Sequence, residues 1–277
     1  MSAPNPLSAT IAGIGFWTDG LPDWNAARAF ALDGTRPESA PARPSPQLLA
    51  PNERRRAPGS VAVALEVAMA ACRDAGIAPE TLPSVFASTH GDLGITDYMC
   101  DTLATDPTAI SPTKFHNSVH NAAAGYWTIG AGCTEATTAL SAYDATFAQG
   151  LLEALMQLAT GSPAVLLVAY DTASAGLLGT VTRSEGLLGA ALVLVRDGDG
   201  PRLRATLRDG AELDPPGPLA THAQRNAMAQ MLPLFDALAT GGSSAMLRAG
   251  PHRALSLEIA HAAPARATHA QAEQAHG

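Results

Sequence analysis

Apolar and polar positions along the chain fall into short apolar runs separated by longer periodic stretches. The run "AVLLVAY" at 164–170 is apolar throughout, as a strand in a sheet covered on both faces requires. "LLGAALVLV" at 187–195 reads the same way, and "SATIAGIGF" (8–16) and "SVFAST" (84–89) predict two further strands. "RLRATLR" at 202–208 alternates basic or polar with apolar residues, which predicts a strand with one wet face. Helical periodicity predicts a helix over 60–75, capped by Ser60 and stopped by Gly76. A second begins at Ser111, a good N-cap, with Pro112 at the first helical position, and runs through 111–132.

The stretch "TTALSAYDATFAQG" (137–150) predicts a strand at 137–142 that turns at once into a helix over 145–159. In that helix only Gln149, Glu153 and Gln157 are strongly polar, one thin stripe on an otherwise buried cylinder, and Gly161 ends it. Strand, long helix, buried strand makes a right-handed βαβ unit, so the fold class is α/β: a layered sheet with buried helices. No internal repeat is visible. Residues 36–58 are dense in proline and end near three arginines, which predicts a surface excursion. After about residue 209 the pattern thins to a helix at 222–239, a Gly/Ser break at 241–244, one strand at 254–260 and a fraying Ala/His/Gln tail.

Composition sharpens this picture in two respects. Of the 277 residues 47 % are apolar, enough for a packed core, whereas only 15 % are charged, and charge-poor surface suits an extensive partner interface. The net charge of −8 argues against nucleic acid and anionic membrane as main partners. Cys72, Cys100 and Cys133 fit no metal or disulfide spacing and point to a reducing compartment. There is no basic segment ahead of the first apolar residues, and no apolar run of the roughly 18 residues that span a bilayer. The expectation is a soluble, cytoplasmic protein.

Candidate chemistry is sparse. Asp144 sits at the strand–helix junction, where enzymes often place a nucleophile. His116 and His120 would share one helix face, but "NSV" between them is no zinc-protease motif and no third ligand is evident. Cys133, in "GAGCTE", is a possible thiol nucleophile and, more simply, a buried structural cysteine. The Gly-x-Gly at 13–15 falls short of a dinucleotide fingerprint, and Ser141, Tyr143 and Ser174 form no visible triad. The run Arg54, Arg55, Arg56 reads as a solvated or partner-facing corner. Neither a metal nor a cofactor is implied.

From "ISP" (110–112) onward the chain resembles the β-ketoacyl synthases of the thiolase superfamily. "NAAAGYWTIGAG" (121–132) takes the place of that family's Asn-x-x-Ala-Gly helix start, "TTALSAYDATFAQG" that of its nucleophile junction, and "GSPAVLLVAYD" (161–171) that of the following strand. "SEGLLGAALVLV" (184–195) resembles the run that closes the first half of such an enzyme. Counted from Asn121, the family's cysteine falls on Asp144. The family's two catalytic histidines have no counterpart; His222, His252, His261 and His269 lie in other contexts.

The resemblance therefore implies a thiolase-like layered fold whose first half, 1–208, is largely complete. Residues 209–277 would be a truncated remnant of the second half, packed on the same domain. Short proteins of this kind resemble the chain-length-factor subunits of aryl-polyene and xanthomonadin-type pigment pathways. By that resemblance the chain has no activity alone. It pairs as a heterodimer with a complete β-ketoacyl-ACP synthase and meets an acyl carrier protein through the complex. Thr137, Thr138, Leu140, Ser141, Ala142 and Tyr143 would face the partner, and Phe115 and His116 would shape the acyl tunnel. The alternative is an independent acyltransferase or thioesterase acting through Cys133 or Asp144.

Overall fold

The computed structural model describes residues 7–210 and 212–261. Eight strands are present: β1 (Leu7–Thr18), β2 (Ser84–Ala87), β3 (Thr137–Leu140), β4 (Ala164–Asp171), β5 (Leu188–Val195), β6 (Arg202–Asp209), β7 (Ser244–Gly250) and β8 (Arg253–Ala260). They form one sheet in the order β3-β2-β4-β5-β1-β6-β8-β7. Strands β3, β2 and β4 run parallel, and every other pairing is antiparallel. The helices are α1 (Trp24–Asp33), α2 (Pro51–Arg56), α3 (Gly59–Ala75), α4 (Leu93–Thr105), α5 (Pro112–Asn117), α6 (Ala122–Ala131), α7 (Thr146–Ala159), α8 (Leu178–Val181), α9 (Pro218–His222) and α10 (Leu232–Thr240).

The two faces of the sheet bury two cores. On one, α3 and α6 cover Phe86, Leu166, Val168 and Val193 around Trp127. On the other, α7 lies with Leu151 and Leu155 over Val85 and Leu167, and α10 joins the same core through Leu234 and Phe235. The far end of the sheet returns toward α7, where Gln149 donates from Nε2 to the Ala249 carbonyl at 2.8 Å. Helix α7 is thus a middle layer, and all eight residues of β4 are buried, as its unbroken apolar run requires. Glycine makes the fit of α3 to β1 possible: a Cβ on Gly15 would stand 1.9 Å from the Val67 carbonyl oxygen, and one on Gly13 would stand 2.3 Å from that of Ala71.

Strands β6, β8 and β7 are covered on one face only. Leu203, Leu247, Leu255 and Leu257 point into the core, whereas Arg202, Arg204, Arg208 and Glu258 on the opposite face are exposed. The wet face expected for 202–208 extends over three strands.

Several expectations need correction. Helix α3 is preceded by Pro58, with no side-chain cap; Ser60 lies inside it, buried, and donates to Asp92 Oδ2 at 2.9 Å. Ser111 does cap α5, accepting from the Lys114 amide, but the helix expected over 111–132 is two helices. The break follows Asn117, whose Nδ2 ties back to the Thr113 carbonyl at 2.9 Å. The helix expected at 222–239 is likewise α9, a 3₁₀ turn at Ala227–Met231, and α10. Helices α1 and α4 and strand β7 were not anticipated, and the Pro-rich excursion contains the short α2. The expected fraying tail past residue 261 lies outside the described residues.

Candidate functional site

The strand–helix junction is a tight elbow. Strand β3 stops at Leu140, residues 143–145 make a 3₁₀ turn, and α7 starts at Thr146. The bend falls on Tyr143, whose φ is +55°, a region bulky L-residues avoid. Such strain persists only where surroundings enforce it. Here Thr146 does so: its Oγ1 donates to the Tyr143 carbonyl at 2.6 Å and accepts from the Ala142 amide at 3.0 Å. Ser141 anchors the strand end by donating to the Thr89 carbonyl at 2.7 Å. Asp144 follows the apex. It is half-exposed and lies 3.5 Å from Arg248 Nε on β7.

Beneath the elbow lies a buried carboxylate that the sequence reading passed over. Asp171 closes β4 and accepts from Ser88 Oγ (2.8 Å), Thr89 Oγ1 (2.6 Å) and the Thr89 amide (3.0 Å). Burial pushes its pKa up to about 6, and the bonds from Thr89 and Ser88 offset part of that rise. Because the folded state then holds a proton more tightly than the unfolded chain, this group's contribution to stability falls as pH rises from about 4 to about 6. Against Asp171→Asn, wild type should gain on the order of 2–3 kcal/mol between pH 6.5 and pH 4. Urea midpoints of the two proteins across that range check it; a constant gap would contradict the raised pKa.

His90 stands beside this carboxylate loop, its ring 6.5 Å from that of Tyr143 and its Nε2 buried without a partner among the described residues. Burial lowers its pKa, and the neighbouring His120 lowers it further. His120 is bonded through Nε2 to the Ser88 carbonyl at 2.8 Å, while His116 packs edge-on against Tyr126 with ring centroids 5.6 Å apart. The two histidines do not share a helix face, because α5 ends between them. Cys133 is buried and its thiol points to the Leu82 carbonyl at 3.5 Å. Ser174 pins a loop against Ser184. His222 and His261 bond backbone carbonyls of Asp19 and Gly242, and His252 sits in the β7–β8 hairpin. His269 lies outside the described residues.

The elbow opens onto a cleft of about 670 Å³ walled mainly by polar side chains, among them Asp144, Arg183, Arg225, Asn226 and Gln230, with Val181 at its rim. A second groove, about 580 Å³, runs between the end of β3, α7 and the β7–β8 hairpin and is lined by Leu140, Ala142, Leu152, Met156 and Pro251. Strand β3 is an edge of the sheet: Thr137, Ser141 and Tyr143 are exposed, and Thr138 and Leu140 half-buried. Phe115 is 60 % exposed on α5, and Leu177 and Val181, flanking and within α8, are 86 % and 74 % exposed.

Residues 24–254 match the model of the family described as β-ketoacyl synthase, N-terminal domain. This chain belongs to that family. The ketosynthase-type chain resembles in fold one chain of the complex of the ketosynthase ApeO with its chain length factor ApeC from Xenorhabdus doucetiae. The TM-score is 0.72 at 24 % identity, over 91 % of this chain and 99 % of that one. It also resembles a chain of the ishigamide ketosynthase/chain length factor (TM-score 0.69, 13 % identity, 92 % and 100 % covered). A third likeness is to a β-ketoacyl synthase from Burkholderia phymatum (TM-score 0.60, 16 % identity, 83 % and 70 % covered). No curated protein sequence matches this ketosynthase-type chain. The thiolase-like layered fold is thus established for it, and it spans almost the whole of the first two of those chains. No helix among the described residues is long and apolar enough to cross a membrane.

Proposed function

We propose that this chain is a non-catalytic, chain-length-factor-like subunit that pairs with a complete β-ketoacyl-ACP synthase and helps shape its acyl tunnel. One observation carries the reading: the elbow that presents a nucleophile is kept, with its strain, but nothing at it can accept an acyl group. The apex residue, Tyr143, carries a phenol, a weak acyl acceptor without a base beside it, and among the described residues no side chain is hydrogen-bonded to its hydroxyl. A carboxylate at position 144 attacking a thioester gives a mixed anhydride, less stable than the ester consumed. Asp144 would also repel a malonyl carboxylate. Cys133, the other candidate for an independent transferase or thioesterase, is buried in the core. Fold likeness to chains of ketosynthase/chain length factor complexes supports the same reading, as does the exposed edge of β3.

Incubating the isolated chain with an acyl carrier thioester and weighing it intact tests this directly. No acyl adduct is expected, and Asp144→Ala should leave product formation by the assembled complex within a few-fold of wild type. A stable adduct, or a loss of several orders of magnitude with the complex intact, would refute the reading.

Phe115 and His116 bear on chain length. Both side chains are exposed on α5, so in this reading the Phe115 ring closes the partner's tunnel rather than one of its own. Phe115→Ala in the complex should then lengthen the products. Because so exposed a ring contributes little to the chain's own core, its loss should not unfold the chain. Product masses compared at equal amounts of intact complex decide; an unchanged distribution would put the plug elsewhere.

A further inference from the structure

The uncovered face of β6, β8 and β7 has an organisation that the elbow and its edge do not explain. Register places Arg204 opposite Glu258, and sets Arg208 and Arg248 on either side of Ala254 in one rung. Arg202 lies one pleat further along the same face. Four arginines thus share the face with one glutamate, on a chain whose formal charge is −8. Of the four, Arg248 alone makes an ion pair among the described residues, to Asp144 at the rim. Asp209 is taken by Arg253 at 2.9 Å on the opposite side of the pleat. Between and beside the arginines stand Thr206, Ser256 and Met246, all half-buried, while the arginines are exposed.

Arginines gathered on one face repel one another, and the register gives only Arg204 an opposite charge directly across from it. The spacing says what would neutralise them. Alternate residues on a strand are about 6.8 Å apart, and strands two apart about 9.6 Å. Carboxylates at successive i, i+4 positions of a helix repeat about every 6 Å, a match to Arg202 and Arg204 along the strand. Arginine pairs with carboxylates bidentately, which suits a discrete row of acids. The face carries no aromatic side chain on which a base would stack, so a single-stranded nucleic acid is poorly matched.

We propose that this face docks an acidic helix of a partner protein, its carboxylates engaging Arg202, Arg204 and Arg208. The proposal goes beyond pairing through the β3 edge and does not depend on it. Arg248 connects the two regions, since an acid arriving at Arg208 competes with Asp144 for it.

The test uses the full chain and a fluorescein-labelled helical peptide with glutamates along one face, followed by anisotropy at low and physiological salt. Saturable binding is expected. It should weaken at least tenfold in Arg204→Ser/Arg208→Ser and strengthen in Glu258→Gln, which removes the competing acid. All of these side chains are exposed, so melting temperatures should stay level. Equal binding by wild type and the double variant would overturn the proposal. So would tighter binding of a single-stranded oligonucleotide than of the peptide. A wild-type dimer in sedimentation that Arg204→Ser/Arg208→Ser turns into a monomer would also overturn it, by assigning the face to a second copy of the chain.

Discussion

Ala139→Pro should leave the chain folded and weaken its hold on a ketosynthase about 100-fold. The asymmetry follows from which backbone groups of β3 are already used. The Ser84 amide donates to the Ala136 carbonyl and the Ser88 amide to the Leu140 carbonyl, so the even-numbered residues of β3 face β2. In a parallel ladder the intervening residues point the other way, which leaves the amides of Thr137 and Ala139 aimed at the open edge. Proline at 139 removes a donor that β2 never used and thrusts its ring into the space a partner strand must occupy. A lost interchain bond plus the clash amounts to about 3 kcal/mol, which is the 100-fold. Co-purification and a measured dissociation constant, beside an unchanged melting temperature, check it. Undiminished pairing would show that the partner meets another surface; a collapsed melting temperature would show that β3 needs that amide itself.

Gly15→Ala should destabilise the chain by about 3 kcal/mol or more and lower its melting temperature by roughly 6–12 °C. The added methyl meets backbone rather than a yielding side chain, because the Val67 carbonyl belongs to α3, which is locked between β1 and the core around Trp127. Gly76→Ala is the comparison: its φ is +64°, but nothing stands near its Cβ, so it isolates the cost of a left-handed backbone from that of a clash. Thermal melts that rank Gly76→Ala as the worse of the two would contradict the close approach of α3 to β1.

What could be read in advance was whatever burial writes into residue type. The unbroken apolar runs of β4 and β5 and the alternation of β6 need no tertiary knowledge. Strand β7, "SAMLRAG", is short and mixed, and is recognisable as a strand only beside β8. Helices α1 and α4 had usable signals, since Asp23 and Asp92 cap them, but their apolar stripes are thin. At the elbow, motif spacing led to Asp144, whereas the bent residue is its neighbour. Tyrosine has no preference for φ of +55°; Thr146 and the packing around it impose the bend, and no residue count reveals that. Asp171 did leave a trace, as a lone acid closing an apolar strand.

Strand β1 sits at the centre of the sheet, yet its neighbours are made long after it. Thr10 pairs with Val195, and Leu7 with Ala205. At ~5–20 residues per second, roughly 10–40 s separate the emergence of β1 from that of either partner. For that time an apolar segment has nowhere to go on the ribosome, and the helices on both faces of the sheet lack the strand that joins its two ends. Closing a loop of that length makes folding slow and late. The nascent chain is therefore a natural client for chaperones that hold extended apolar segments, and its yield in a cell should follow their supply more closely than its melting temperature.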